Sequence, residues 1–422
     1  MIVFKFGGAS VKNTEALKNA VNITKTFEGP LVIVVSAMGK TTNSLEELWA
    51  AYLTKDVKGI EHTLEKLYKF HTALIADLGK ETKRCNDVFS ASFNELKRQI
   101  EKEPSEHKAF EYDQIVSFGE LWSTLIFSEA LKISNVNCKW NDARNTIRTS
   151  NHYQNARIDW LKTKTLVNDR ILNKFKENKS LDCIVTQGFI GHTNTGMTTT
   201  LGREGSDFSA AILAWALDAK EVFIWKDVAG LLNADPKEFD NPLKIDKISF
   251  KEAIELSYFG ASVIHPKTLK PLQNKNIPLI IKSFIDPESS GTIIQSDESC
   301  DANQPSYIYN KNQLLISISP KDFSFIMEDH ISEIFHLFSK SGLKVHLMQN
   351  SALNFSVCAN MKKAMLKNLI DELSEKYNVK YNENVDLLTI RQYENHIFPE
   401  NLKNKNILIK QRTRSTLRYV LN

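Results

Sequence analysis

Five residues at the start of the chain, Ile2-Val3-Phe4-Lys5-Phe6, form an apolar run that stops at Gly7-Gly8, and a helical periodicity follows over 14–27. The same punctuation returns twice. Residues 32–35 are a β-branched strand emptying into the hydroxyl-rich loop 36–43, ahead of a helix that starts near Ser44. Residues 182–186 read as a buried strand, 188–200 as a hairpin tipped by Thr-Asn-Thr-Gly, and 206–217 as a helix with Phe208, Ala211, Ile212 and Trp215 on its apolar side. Strands alternating with helices in this way predict an α/β fold with a mainly parallel sheet between helices.

Each turn carries chemistry. Glycines at 7 and 8 let backbone N–H groups approach phosphate oxygens, and Lys5 can neutralise charge there, although many α/β proteins turn on Gly-Gly with no ligand. Neither a G-x-x-x-x-G-K-S/T loop nor a G-x-G-x-x-G fingerprint is present. The loop 202–207 feeds a helix N-terminus, where backbone donors and the positive end of the dipole attract an anion, and Arg203 adds a planar fork suited to a carboxylate. Ser206 or Asp207 could also serve only as an N-cap. Ser117 and Glu120 open an apolar helix with S-x-x-E spacing, which suits a capping box as well as a ligand.

With 42% hydrophobic and 25% charged residues and a net charge of +4 spread along the chain, nothing marks a nucleic-acid stripe. Cys85, Cys138, Cys183, Cys300 and Cys358 lack C-x-x-C spacing, so a reducing compartment is expected, without zinc or a disulfide framework. No apolar stretch approaches 18 residues, and a strand from residue 2 leaves no room for a signal peptide; a cytoplasmic protein without membrane contact is the expectation. His192, His265 and His346 have no metal-ligand spacing, and the six tryptophans, without a regular period, read as packing residues.

Six co-linear segments then carry a resemblance. KFGGASV at 5–11, VVSAMGKTTNSL at 34–45, SFGELWST at 117–124, GFIG followed by TTLGREGSD at 199–207, WKDVAGLLNADP at 225–236 and FGASVIHPKTL at 259–269 resemble the aspartate kinases of the amino-acid kinase family, in the family's order. The resemblance covers residues 1–295 and implies transfer of the ATP γ-phosphate to the β-carboxylate of L-aspartate, giving 4-phospho-L-aspartate. It implies phosphate contacts from Lys5, Gly7, Gly8, Ser10 and Ser36, and nucleotide contacts from Lys226, Asp227 and Lys237. On the substrate side it implies Thr42 and Ser206, Glu120 on the ammonium, Arg203 on the α-carboxylate and Phe189 lining the pocket. Asp207 would organise Lys5 and the magnesium region, with Mg²⁺ carried by ATP. No base is required, because the β-carboxylate is already ionised near neutral pH. A non-catalytic amino-acid-sensing paralogue and another acid kinase of the same fold, acting on glutamate or acetylglutamate, are the competing readings.

The chain departs from the family pattern in places. Glu204 stands where Gly or Asn is usual, harmless if its side chain points to solvent. Lys226 replaces Thr, Leu232 replaces Tyr, Lys237 replaces Arg, and Ser262 replaces a lysine expected near the nucleotide. Lys226 is expected to restore that charge.

After a polar linker at 296–312, residues 313–382 read β-α-β-β-α-β, a ferredoxin-like arrangement that resembles the family's ACT regulatory domain. Its free sheet edge suggests a homodimer. Residues 383–422 suffice only for a shortened second ACT-like unit. The resemblance allows lysine or threonine as effector, although Val345-His346 stands where an acidic residue often meets an effector's ammonium.

Overall fold

The computed structural model describes residues 1–261, 264–301 and 304–422. Ser262 lies outside them. The chain divides into two compact units, Met1–Leu231 with Asp246–Ile254 and Ile264–Glu298, and Leu232–Ile245 with Glu255–Val263 and Ser299–Asn422.

The first unit is built on an eight-stranded sheet in the order Lys247–Ser249, Thr292–Gln295, Leu279–Ser283, Glu221–Lys226, Ile2–Phe6, Leu31–Val35, Cys183–Gln187, Cys138–Asn141. From Leu279–Ser283 onward every pairing is parallel, while Thr292–Gln295 runs antiparallel to Leu279–Ser283. Leu31–Val35 and Cys183–Gln187 are buried along their whole length, which is why neither alternates apolar with polar residues and the first reads as an unbroken apolar run. The first strand lies inside the sheet, and the chain builds outward from it on one side before crossing to the other. Loops at the carboxyl ends of the strands therefore part beside Ile2–Phe6 and leave a crevice there.

Helices Thr41–Thr54, Val57–Asp77, Lys83–Ile100, Lys108–Val116 and Phe118–Ile133 follow one another between strands Leu31–Val35 and Cys138–Asn141. Phe89, Phe93 and Trp122 interlock in their core, with Phe89 and Phe93 both within 5.6 Å of the indole, centroid to centroid. The helix expected near Ser44 begins at Thr41, because Thr41 N–H already bonds the Met38 carbonyl; Ser44 is buried inside the first turns and caps nothing.

The second unit carries a six-stranded antiparallel sheet, in the order Val345–Asn350, Phe355–Asn360, Ser306–Pro320, Tyr377–Arg391, Thr416–Leu421, Ile407–Arg412. With helices Glu328–Ser341 and Lys363–Lys376, the expected β-α-β-β-α-β order is present. Two boundaries differ from the sequence reading. The strand Ser306–Pro320 starts inside the stretch read as linker, and Tyr377–Arg391 runs without a break across residue 382. Their amino- and carboxyl-terminal halves pair along the full length, with irregularities between Asn310 and Gln313 and between Gln313 and Leu315, so residues 383–422 extend one sheet. Phe239, Tyr307, Tyr309 and Phe398 pack on its buried residues Leu388, Ile390, Leu417 and Tyr419, and its Arg391 and Arg418 lie over the ring of Phe259, the last residue of helix Phe250–Phe259.

Among the described residues no helix is long and apolar enough to cross a membrane. All five cysteines are free thiols.

Candidate functional site

Strand alternation places the first charge. Phe4 and Phe6 meet Phe223 and Trp225 across the pairing with Glu221–Lys226, at centroid distances of 5.3 and 6.1 Å. Lys5, between them, must point to the opposite face. There it meets the helix Gly205–Leu217, whose Asp207 Oδ1 lies 2.6 Å from Lys5 Nζ. Lys226, the last residue of its strand, reaches Asp207 Oδ2 at 3.6 Å. Asp207 is buried, which by itself would push its carboxyl up. The two ammonium groups outweigh that burial and hold it below the ordinary value, so it stays ionised.

The loop into this helix is fixed by close contacts. A Cβ on Gly205 would sit 2.6 Å from Phe189 Cδ2, and one on Gly188 would sit 2.5 Å from the Ser206 Cβ. The Gly188-Phe189 turn thus nests against the helix N-terminus. Phe189 has φ +68°, a conformation costly for an aromatic residue. Its N–H donates to Ser209 Oγ at 2.9 Å and its carbonyl accepts from Leu201 N–H at 2.8 Å, which holds it in place.

Glu204 has φ +53°, which accounts for the usual Gly or Asn at that position. Its side chain is exposed but does not point only to solvent: Oε2 accepts from His265 N–H at 2.9 Å. Arg203 is exposed and has no hydrogen bond or ion pair among the described residues.

The capping reading of Glu120 fails. Ser117 makes no capping bond, its hydroxyl donating to the Gln114 carbonyl, and Glu120 turns inward. Its Oε1 accepts from Ala37 N–H at 3.3 Å, while Oε2 is buried without a partner. Burial pushes its carboxyl up to about 8, against the smaller opposing pulls of the Ala37 N–H and Lys5. A buried acceptor left open in this way is suited to a cationic ligand.

These groups surround a cleft of about 800 Å³, lined by Lys5, Ser36, Thr42, Glu120, Phe189, Arg203, Ser206, Asp207 and Lys226 among others. Gly7 and Gly8 do not line it, although a Cβ on Gly7 would sit 3.4 Å from Lys5 Nζ. A Cβ on Gly8 would sit 2.8 Å from the Ala37 carbonyl oxygen, and Gly8 O accepts from Gly39 N–H at 3.1 Å, so only glycine lets these loops touch.

Other candidates fall elsewhere. Ser10 is buried, donates to the Trp225 carbonyl at 3.4 Å and does not line the cleft. Asp227 is exposed beyond the strand end. Lys237 belongs to the second unit, where its N–H bonds Asp235 Oδ1.

Four cleft residues escaped the sequence reading: Glu46, Trp49, Tyr112 and Gln154. Tyr112 donates to Glu46 Oε1 at 2.7 Å and meets Trp49 edge-on at 5.4 Å. Glu46 and Trp49 follow Thr42 at i+4 and i+7 on one helix, a spacing that was available in the sequence. Gln154 sits in an irregular loop at φ +65°, its N–H on the buried Asp113 carboxylate, and no local signal could have found it.

Among the described residues no group of three or more His, Cys, Asp or Glu could hold a metal ion. Asp207 has an ammonium against each oxygen, so this donor set suits a cation that arrives on a polyphosphate rather than one caged by the protein.

Residues 1–283 match the amino acid kinase family. Over 363 residues the chain is 32% identical to lysine-sensitive aspartokinase 3 of Escherichia coli (strain K12), a match covering 85% of this chain and 78% of that protein. It is 29% identical over 392 residues to the chloroplastic bifunctional aspartokinase/homoserine dehydrogenase 1 of Arabidopsis thaliana, covering 89% of this chain but only 42% of the longer protein. E. coli aspartokinase III, solved with lysine and aspartate in the T state, superposes with a TM-score of 0.83 at 27% identity, covering 100% of this chain and 95% of that one. The same enzyme with aspartate and ADP in the R state gives 0.79, also at 27% identity, over 100% and 96%.

Proposed function

The chain belongs to the amino acid kinase family, and within it to the aspartokinases, and we infer that its cleft transfers the ATP γ-phosphate to the β-carboxylate of L-aspartate, giving 4-phospho-L-aspartate. The observation that carries this reading is one cleft lined by a paired cation, an unpartnered arginine and a buried carboxylate oxygen with no donor. Those are complements to a phosphate, an α-carboxylate and an α-ammonium.

The problem in this reaction is to bring one anion against another, and no proton has to be removed. Lys5 faces the transferring group, and Asp207 fixes its ammonium there. The N-terminus of Gly205–Leu217, with Ser206, adds backbone donors to the same spot. Arg203 clamps the α-carboxylate, Glu120 Oε2 receives the ammonium, and Phe189 with Thr42 bounds the side chain. Ser36, Gly7 and Gly8 flank the phosphates. Mg²⁺, carried by ATP, supplies charge neutralisation between the phosphate oxygens.

Two further parts of the reading concern the second unit and the cell. A cavity of about 490 Å³ lined by Asp322, Ser324, Asp329, His330, Glu333 and Lys376 offers carboxylates for an ammonium, in keeping with lysine or threonine as effector. Pairing of second units would make a homodimer, and the free thiols suit the cytoplasm.

The test is ADP release from ATP·Mg with L-aspartate, L-glutamate or N-acetyl-L-glutamate, repeated with lysine and threonine added. Release with aspartate alone is expected. Release with glutamate instead, or with none of the three, would replace this reading with another acid kinase or with a sensing paralogue.

A further inference from the structure

We infer that Lys226 is a second catalytic cation, which meets the phosphoryl group in transit together with Lys5. This rests on the reading of the cleft as a site of transfer to aspartate, and adds to it a residue that the family pattern, with Thr at this position, does not supply.

The placement follows from the sheet. Lys5 pairs with Ile224, and Phe6 with Trp225, so Lys226 has the parity of Ile224 and leaves the sheet on the same face as Lys5. Asp207, in the first turn of Gly205–Leu217, receives both: Lys5 on Oδ1 and Lys226 on Oδ2. One carboxylate thus holds both ammonium groups at a helix N-terminus, where backbone donors also favour an anion. The two lysines are not equivalent. The Lys5 side chain is 10% exposed and that of Lys226 28%, so Lys226 is the more accessible of the two from the open cleft.

In the transfer, an oxygen of the β-carboxylate bonds to Pγ while the bond from Pγ to the bridging oxygen breaks, its electron pair leaving with ADP. Charge shifts onto the bridging and equatorial oxygens, and no proton moves. A cation fixed by the same carboxylate as Lys5 lies beside those oxygens rather than beside the base or ribose. Its contribution therefore belongs mainly to the transition state, and it should register in kcat more than in nucleotide affinity.

The experiment uses the full chain. Wild type, Lys226→Met, Lys226→Gln and Lys226→Arg are compared for kcat and both KM values in the ADP-release assay, and for Mg·ADP binding by calorimetry. Lys226→Met should lower kcat about 100-fold, with Mg·ADP affinity and the KM for aspartate within about threefold of wild type. Lys226→Arg, which keeps the charge, should recover at least about a tenth of the lost rate. Retention of Mg·ADP binding certifies the fold, and Lys226→Gln stands in should the Met variant fail to bind. A kcat within about threefold of wild type in the neutral variants, or a defect confined to the KM for ATP, would overturn the inference and make Lys226 a bystander or a nucleotide anchor. Wild-type protein inactive with aspartate would instead overturn the parent reading, and this inference with it.

Discussion

The two units bury polar side chains to different ends. In the second unit several of them satisfy one another, although Gln313 Oε1 is left without a donor. Arg391 donates to Thr416 Oγ1 at 2.6 Å, Arg418 to Thr389 at 3.4 Å, and Asp386 receives the Tyr309 hydroxyl at 2.5 Å and Asn312 N–H at 3.2 Å. In the first unit, Glu120 keeps an oxygen without a donor, and Asp207 is shared by two cations. A satisfied network stabilises architecture, whereas an incomplete one leaves chemistry for a ligand to finish.

The sharpest way to break this contrast is to change one residue on each side. Asp207→Asn leaves two ammonium groups beside a neutral side chain, and kcat for aspartate should fall by about 10²–10³. Unchanged turnover would mean that the ion cluster is architecture after all. In the second unit, Leu373→Ala should cost about 2–5 kcal/mol in chemical denaturation, while the KM for aspartate stays where it was. A shift in that KM would show that the two units are not separable in this sense.

Smaller effects sharpen it. Arg203→Lys keeps the charge but loses the fork, and should raise the KM for aspartate on the order of tenfold with little change in that for ATP. The pH profile follows from Glu120. Its neutral form predominates below about 8 and cannot pair with an ammonium, so kcat/KM for aspartate should climb as pH rises toward about 8 and then level. Glu120→Gln should flatten that climb; a climb that survives would place the titration elsewhere. Glu204→Gly relieves a positive φ and gives up the bond to His265, two terms of about 1 kcal/mol each and opposite sign, so the melting temperature should barely move.

Local signals carried much of this. Lys5 before Gly7-Gly8, and Arg203, Ser206 and Asp207 at a helix start, were legible because a strand end and a helix N-terminus are each written in a few consecutive residues. The Glu120 ambiguity was not resolvable locally: S-x-x-E describes a cap and a ligand equally well, and the choice depends on Ala37, which lies on another loop. Ser10 was drawn into the phosphate group by its motif, yet its hydroxyl faces a neighbouring strand. Tyr112 gave no sign, since its partners Glu46 and Trp49 lie more than sixty residues away.

What the sequence determined by itself was the alternation of strands and helices, the glycines that let backbone pass backbone, and the charges at two turns. These follow from periodicity and steric allowance, which act over a few residues. Only the tertiary structure decided that Lys5 and Lys226 share Asp207, that Glu120 ends without a donor, and that Ser306–Pro320 and Tyr377–Arg391 form one continuous ribbon. Strand order sets those distances, and strand order depends on which apolar faces can be buried together across the whole chain.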